Sequence, residues 1–327
     1  MHLKSLSIAL ASIALGAVLS LFVPPGTSGQ GPGDQSGSSP FPRSADGKPD
    51  FSGLWQVNNT ANWDLQTHPA RPMVAQPGVQ PGVSVLAAPV VALGSIGWVP
   101  PGMGVVVGDE IPYQPWAAAR RNENLEHWLD RDPEIKCFLP GVPRAMYLPY
   151  PFQILQGTNT MMMVFEFANA QRTVHLQEVD PYPNVAYMGH SVGRWEGDTL
   201  VVDVTNLTDA TWLDRSGNFH SDAMKVTERY SPISREAFRY EATIEDPNVF
   251  TRPWQISMPI HRRIEANAQI LDFRCIEAVE ETLYGHLRKE PLVKRWEGET
   301  MIVDITRKIP PGEAAYERYI SGNPPVR

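Results

Sequence analysis

The residues best suited to acid–base chemistry are concentrated in the stretch His190–Asp222. His220 and Asp222 are separated by a single residue, so their side chains share a face if the segment is extended. A carboxylate on that face can orient an imidazole that acts as a general base. Asp214 precedes this pair, and His190 opens the stretch, from where it could reach the same site. We therefore predict a candidate catalytic cluster of His220, Asp222, His190 and Asp214.

The same four residues allow two other interpretations. Aspartates and serines in loops commonly cap turns, and a histidine near a strand end is often simply hydrogen-bonded. Imidazole nitrogen and carboxylate oxygen also suit several divalent metal ions. The chain contains no His-x-His or His-Glu-x-x-His spacing, however, so we predict no metal ligands. It also lacks the phosphate-loop, dinucleotide, haem-attachment and Gly-x-Ser-x-Gly motifs, and no cofactor is predicted.

Four further side chains are candidates for ligand binding. Trp195 and Trp212 lie between His190 and Asp214 in sequence and could form apolar walls around the acid–base cluster. Arg144 and Tyr147 lie in a proline-rich aromatic segment and could recognise a carboxylate or a ring, although such a segment also serves as a stiff crossover. The nine tryptophans and eleven methionines suit adaptable apolar walls, and they would equally suit a plain core.

The beginning of the chain is typical of a signal for export. Lys4 precedes the apolar stretch Leu6–Val23, which stops at two prolines. We predict a signal peptide over residues 1–29, with an uncleaved membrane anchor as the alternative. Residues 30–48 are rich in Gly, Ser and Pro and predict a disordered linker, which leaves 49–327 as a single β-rich domain. The protein is then periplasmic or secreted, without a stable membrane span after cleavage.

Charge and cysteine content limit the partners and the compartment. The net charge of −8 and the lack of a basic run argue against nucleic acid and anionic membrane surfaces as partners. The two cysteines, Cys137 and Cys275, predict a disulfide in an exported chain, with two buried free thiols as the alternative. The sequence does not fix the oligomeric state.

Alternating apolar and polar residues predict a mainly β protein. One helix is predicted near residues 115–130, where Pro115 suits the first turn, and residues 65–113 form an irregular Pro/Gly-rich excursion. Many short strands at hairpin spacing indicate an antiparallel barrel of calycin or lipocalin type, with a β-sandwich as the alternative. The predicted strands include residues 161–167, 172–179, 192–195, 199–205, 225–230, 237–245, 254–260 and 269–276.

One hairpin sequence occurs twice in the chain. Arg194–Leu207 reads RWEGDTLVVDVTNL and Arg295–Lys308 reads RWEGETMIVDITRK, with eight of fourteen positions identical. The flanking sequences do not match, so we interpret this repeat as convergence on one favourable hairpin sequence and not as a duplicated domain. The hairpin is therefore predicted to be scaffold, and the Thr211–Asp222 segment beside it, which does not recur, is the better candidate for a site.

Four longer phrases of the chain are distinctive, namely DGKPDFSGLW, CFLPGVPR, MGHSVGRWEGDTLVVD and TWLDRSGNFHSD. They resemble a large family of uncharacterised exported proteins of soil and environmental bacteria. The resemblance covers roughly residues 46–280, and it implies export and a common fold but no activity. Gly53-Leu54-Trp55 also resembles the first strand of lipocalin-like barrels, in which the tryptophan closes one end.

Three functions are consistent with the sequence. The leading hypothesis is an exported β-barrel that binds a small, largely apolar or aromatic molecule. The alternative is a cofactor-independent acid–base enzyme, a hydrolase, lyase or isomerase, with His220 as its general base. A further alternative is an envelope interaction protein that uses the 65–113 excursion as its contact surface.

Overall fold

The computed structural model describes most of the predicted domain. All of its described residues belong to one compact unit that spans residues 40–327. The predicted signal peptide at 1–29 and the central part of the Pro/Gly-rich excursion lie outside the described residues. The described residues are 40–72, 98–273, 275, 293–297 and 300–304.

Short strands account for most of the regular structure. They are β1 Gly53–Gln56, β2 Arg71–Pro72, β3 Trp98–Val99, β4 Phe152–Gln156, β5 Thr160–Phe165, β6 Gln171–His175, β7 His190–Glu196, β8 Thr199–Thr205, β9 Lys225–Ser234, β10 Ala237–Glu245, β11 Trp254–Arg262, β12 Val293–Glu297 and β13 Thr300–Asp304. The helices are α1 Pro115–Glu126 and the short α2 Trp128–Arg131, and 3₁₀ turns occur at Pro133–Lys136, Arg144–Tyr147 and Phe167–Asn169.

Nine of the strands close into a barrel in the order β1-β11-β10-β9-β8-β7-β6-β5-β4. The predicted barrel is therefore confirmed, and the sandwich alternative is not adopted. Neighbouring strands are antiparallel except for β6 and β7, which are parallel because the long connection 176–189 returns the chain before β7 begins. The sheet is thus mixed, which the alternation of residues could not reveal.

The middle of the barrel is packed with side chains and includes a buried ion pair. Arg172 and Glu228 form that pair, and Glu228 Oε1 also accepts hydrogen bonds from the hydroxyls of Tyr240 at 2.7 Å and Tyr230 at 3.2 Å. Such a pair is tolerated in an apolar interior when each partner is hydrogen-bonded. Apolar side chains that face inward around it are fully buried, among them Ile154, Met161, Met163, Leu200, Val202, Ile256 and Ile260.

One end of the barrel, which carries the β7–β8 and β9–β10 turns, is named the hairpin end. The indole of Trp55 is fully buried there, its Nε1 donates to Phe51 O at 2.7 Å, and the guanidinium of Arg262 lies over its ring at 4.2 Å. Residues 40–48, which fall in the predicted linker, also pack here, since Phe41 stacks on Trp55 at 6.3 Å. This end is closed by aromatic rings.

The predicted helix is confirmed, but in α1 its packing face is rotated by one residue from the face that the three- and four-residue spacing of Ala118, Arg121 and Leu125 predicts. Pro115 occupies the first turn, and the buried positions are Ala117, Asn124 and, in α2, Trp128. Trp116 points away from this face and is 57% exposed. No helix of the described residues is long and apolar enough to cross a membrane.

The C-terminal part departs from the prediction in one respect and agrees in two. Residues 269–273 form no strand, so the predicted strand 269–276 is wrong over its described part; Phe273 instead packs its ring on Tyr150 at 5.1 Å. The predicted disulfide between Cys137 and Cys275 is confirmed. The echoed hairpin is formed by β12 and β13 in the same register as β7 and β8.

Candidate functional site

The end of the barrel opposite the hairpin end is covered by loops that we name the cap. β8 ends and β9 begins at this end, as do β10 and β11, so both connecting loops lie over it. Backbone hydrogen bonds tie the segments together, including Val105 N to Leu65 O at 2.7 Å and Gln114 N to Val249 O at 2.8 Å. The cap comprises residues 57–68, 105–114, 132–151, 206–224 and 246–253, together with α1.

The predicted site segment forms a small hairpin inside the cap. Trp212 and Phe219 face each other as a β-bridge, and Leu213 N donates to Asn218 O at 2.7 Å. Gly217 at its tip has a φ of +84° and lies against α1, where an added Cβ would come within 2.6 Å of Arg121 O. Glycine is required at this position because both the left-handed backbone and the close approach exclude a side chain.

Asp214 is the buried anchor of this hairpin. Its carboxylate accepts hydrogen bonds from the backbone nitrogens of Leu65 at 2.9 Å and Ser216 at 2.9 Å, and from Asn218 Nδ2 at 2.5 Å. Burial, and then the nearby carboxylate of Asp64, raise the pKa of Asp214 to about 7, although these donors favour the ionised form. Asp214 therefore joins two cap segments and titrates close to neutral pH.

His220 lies in the same hairpin with both ring nitrogens engaged. Nδ1–H donates to Ser221 O at 2.9 Å, and Nε2 accepts from the hydroxyl of Thr211 at 2.7 Å. Burial lowers the pKa of His220, which favours this neutral form. The contacts resemble a hydroxyl nucleophile beside an oriented base. Thr211 is only 2% exposed, however, and its Oγ1 packs against Gly141, where an added Cβ would lie 2.9 Å away.

The other two predicted catalytic residues have different surroundings. Asp222 is exposed, and the carboxylate that braces the loop is that of Asp246, which accepts from Ser221 N at 2.6 Å and Ser221 Oγ at 2.9 Å. His190 lies on the outer face of β7, where its ring stacks on His175 at 5.5 Å between centroids. Asp214 and His220 are thus buried in the 206–224 loop, whereas Asp222 is exposed in that loop and His190 lies on a strand.

The predicted ligand-binding residues are also distributed over the molecule. Trp195 is at the hairpin end, where it stacks on Phe51 at 6.2 Å, whereas Trp212 is 7% exposed in the cap. Tyr147 is buried in the cap and donates its hydroxyl to Leu213 O at 2.7 Å. Trp195 and Trp212 therefore cannot form two walls of one site.

Arg144 belongs to a buried ionic cluster that holds the cap together. Its guanidinium donates to Asp132 at 2.8 Å and 3.0 Å and to Glu134 at 2.5 Å. Burial alone would raise the pKa of Glu134, but Arg215 and Arg144 outweigh it and lower the pKa to about 2. Arg215 also lies over the Trp63 ring at 4.7 Å. The guanidinium N–H groups of Arg144 therefore already donate to Asp132 and Glu134 and are not available to a ligand.

The sequence did not single out a run of aromatic rings that crosses the cap from the surface to the barrel interior. Trp116 contacts Phe219 at 6.0 Å between centroids, and Phe219 stacks on Tyr113 at 6.2 Å. Tyr113 packs on Phe250 at 5.1 Å, which meets Trp254 at 5.3 Å. We name these five side chains the aromatic run. A sequence signal existed only for Trp116, which lay off the predicted packing face of the helix.

The polar groups that contact the aromatic run are hydrogen-bonded to one another. The Tyr113 hydroxyl donates to Asn218 Oδ1 at 2.8 Å, and Arg121 Nε donates to the same oxygen at 3.3 Å. Burial raises the pKa of Tyr113 well above its usual value, so the phenol stays protonated. Over the described ranges of the chain, no group of three His, Cys, Asp or Glu side chains is arranged to hold a metal ion.

The cap thus carries a partly exposed series of aromatic rings on a hydrogen-bonded frame. No family model matches this chain, and no curated protein and no solved structure shows significant similarity to it.

Proposed function

We propose that this protein is an exported β-barrel protein that binds a small, largely apolar or aromatic molecule on the aromatic run of its cap. The observation that carries the proposal is the indole of Trp116, which is 57% exposed although it belongs to a continuous series of ring contacts that ends inside the barrel. An exposed tryptophan at the end of such a series offers a stacking surface to a further ring.

The energetics favour a ring-shaped ligand at this surface. An aromatic pair contributes about 0.5–1.5 kcal/mol beyond the apolar area that it buries. Phe219 lies beside Trp116 and is itself only partly buried, so one ligand ring could cover both side chains. Because the two rings are inclined at 62° to each other, a flat ligand ring stacks on one of them and meets the other edge to face.

The frame beneath the surface supports binding because it is already ordered. Asp214, His220 and Asp246 each fix a part of the 206–224 loop or its neighbour through hydrogen bonds shorter than 3 Å. A preorganised site loses little conformational entropy when a ligand binds. The buried ion cluster at Arg144 and the disulfide at Cys137 fix the adjacent cap segment in the same way.

The disulfide also supports the proposed export. Disulfides persist in oxidising compartments such as the periplasm and the extracellular space and are rare in a reducing cytosol. The bond between Cys137 and Cys275 fits the signal peptide predicted from the first residues of the chain. A small-molecule ligand from the environment would then be the partner.

Binding can be tested with the fluorescent dye N-phenylnaphthylamine, an apolar aromatic probe that becomes brighter when it leaves water. We expect Trp116→Ala to weaken dye binding at least about tenfold, because it removes the exposed stacking partner. The matched control is Ile233→Ala, which removes an exposed apolar side chain near the hairpin end and should bind as the wild type does. Equal affinity in Trp116→Ala and wild type would refute the proposal.

The Thr211–His220 pair is the one arrangement that favours the alternative of a hydrolase. If it were catalytic, hydrolysis of simple aryl esters would be lost in both Thr211→Val and His220→Gln. We expect instead that the wild type and both variants hydrolyse aryl esters no faster than buffer alone, because the hydroxyl of Thr211 is buried against Gly141. Hydrolysis by the wild type that disappears in both variants would establish the enzyme.

A further inference from the structure

Trp254 ends the aromatic run on the inner face of the barrel. It is the first residue of β11, pairs across the sheet with Ile244 and is 4% exposed. Its ring meets Phe250 edge to face at 76°. Through Phe250 it is linked to the rings that lead to the cap surface, so its position is the innermost point of the proposed binding surface.

The indole Nε1 of Trp254 is buried and has no hydrogen-bond partner among the residues that the structure describes. Two other buried atoms share this property, Glu236 Oε2 and Arg262 Nη2, but they belong to side chains that attract each other as an ion pair with a separation of 3.6 Å. Trp254 has no such compensation. An unpaired buried donor is destabilising and uncommon in a native protein.

Comparable buried donors of the barrel and the cap, in contrast, form hydrogen bonds. The buried hydroxyls of Tyr230, Tyr240 and Tyr147 all donate hydrogen bonds within the protein. The other indole of the barrel interior, Trp55, also donates its Nε1–H, to Phe51 O. The fold therefore satisfies comparable donors, and the free donor of Trp254 coincides with the inner end of the aromatic run.

We propose that the indole N–H of Trp254 is the polar anchor of the binding site and that the ligand is an aromatic molecule with a neutral acceptor oxygen, such as an aryl ketone, ester or amide. This inference rests on the proposed function. An indole nitrogen can only donate, so its partner must be an acceptor.

The charge of the cap selects a neutral acceptor over an anionic one. The carboxylates of Asp64 and Asp214 lie near Tyr113 of the aromatic run, where the guanidinium of Arg121 is already engaged with Asn218 and Asp64. The guanidinium of Arg252, close in sequence to Phe250 and Trp254, is paired with Glu110. An anionic ligand would be repelled by these carboxylates, whereas a carbonyl oxygen carries no net charge.

Two dyes separate the anchor from the stacking surface. Prodan is a naphthalene with a ketone oxygen, and its emission moves to longer wavelength when that oxygen accepts a hydrogen bond. N-phenylnaphthylamine has a similar ring system and no oxygen. We expect Trp254→Phe, which keeps a ring and removes the N–H, to weaken Prodan binding about 3- to 10-fold, the equivalent of one hydrogen bond. It should weaken N-phenylnaphthylamine binding less than Prodan binding, because the ring is kept, and should move the emission of bound Prodan to shorter wavelength.

The outcomes distinguish this inference from the proposed function. If Trp116→Ala weakens both dyes while Trp254→Phe weakens neither, or weakens both equally, the anchor is refuted and the binding surface stands. If neither dye binds, or Trp116→Ala has no effect, both proposals fail. Should Trp254→Phe not fold, the emission of Prodan on the wild type decides: emission like that in a hydrocarbon solvent would overturn the anchor, and emission like that in an alcohol would support it.

Discussion

At the scale of single residues, the cap shows that the same residue type can be an anchor or a solvated surface group depending on burial. Asp214 and Asp222 lie eight positions apart in one loop, yet Asp214 is buried among backbone donors and Asp222 is exposed. Burial raises the pKa of Asp214, because desolvation acts on charge that is removed from water. Sequence spacing alone favoured Asp222 as the partner of His220, and the fold supplies Ser221 O and Thr211 instead.

The raised pKa of Asp214 predicts a pH dependence of stability. Burial and Asp64 raise it from the ordinary value of 3.8 to about 7. The folded state then binds the proton more tightly than the unfolded state, so the contribution of Asp214 is complete below about pH 4 and is lost as the pH rises through about 7. We expect Asp64→Asn to lower the pKa of Asp214 and therefore to reduce this loss of stability. Denaturant unfolding between pH 4 and pH 7, in steps of about half a pH unit, measures the change.

The exposed Asp222 provides the control for that measurement. Asp222→Asn changes the net charge by the same amount as Asp64→Asn, but at a position in contact with solvent. Its pH profile should follow that of the wild type. A profile for Asp64→Asn that also follows the wild type would show that Asp64 does not set the ionisation of Asp214.

At the scale of elements, alternation predicted the central strands well. β10 was predicted with the bounds that the structure has, because Phe238, Tyr240 and Ala242 face the core while Arg239 and Glu241 face outward. Pro259 faces outward, and it lies between the short stretches of β11 that pair with β1 and with Val106. Period-two patterns succeed where one face of a strand is buried and the other is not.

The elements of the cap could not be predicted in the same way. Its segments are held by side-chain contacts between residues that are far apart in the chain, such as Leu65 with Asp214 and Tyr113 with Phe250. No local pattern encodes such contacts, so the aromatic run was missed although its strand residue Trp254 was placed correctly. The sequence did locate the 211–222 loop, because that loop has little strand character and does not recur with the echoed hairpin.

Packing between α1 and the 211–222 loop predicts a strong effect of one glycine. Gly217→Ala would place a Cβ within 2.6 Å of Arg121 O and 2.7 Å of Leu125 N, both of them backbone atoms. Because the backbone of a helix cannot yield easily, we expect a loss of about 2–4 kcal/mol in the free energy of unfolding, from strain and disrupted packing together. Chemical denaturation monitored by tryptophan fluorescence measures this change.

Gly197 is the matched control for Gly217. It also has a positive φ, +64°, but an added Cβ would meet nothing within 4 Å. Gly197→Ala should therefore cost only the left-handed backbone conformation, about 1–2 kcal/mol. If both variants lose the same stability, the close approach of loop and helix contributes nothing.

At the scale of the whole molecule, the disulfide joins the cap to the segment that follows the last barrel strand. Cys137 and Cys275 are 138 residues apart, and most of the barrel lies between them. A crosslink across a loop of this length removes much of the conformational freedom of the unfolded chain, worth about 5 kcal/mol in the chain-entropy model. The bond therefore acts on the stability of the barrel as a unit.

We expect the double variant Cys137→Ser/Cys275→Ser to unfold at lower denaturant concentration, with a loss of up to about 5 kcal/mol. Dithiothreitol should destabilise the wild type to the same level and leave the double variant unchanged, which controls for the effect of the serines. Identical stability of wild type and variant in the absence of reductant would contradict the predicted role. Export to an oxidising compartment is consistent with such dependence.

The order of the barrel strands has a further consequence for how the chain reaches its folded state. β4 to β6 form one meander and β7 to β11 another, each built from antiparallel strands that are consecutive in the chain. The two meet directly through only two residue pairs between β6 and β7, and on the other side β1 joins them through three pairs with β4 and two with β11.

Local hairpins form quickly, while contacts between distant parts of a chain require costly loop closure first. Both meanders can therefore assemble before β1 connects them, and that connection becomes the slow step. During the delay each meander presents unpaired strand edges to other molecules. Aggregation of this protein is thus expected from the late, unclosed intermediate, whereas the finished barrel hides those edges.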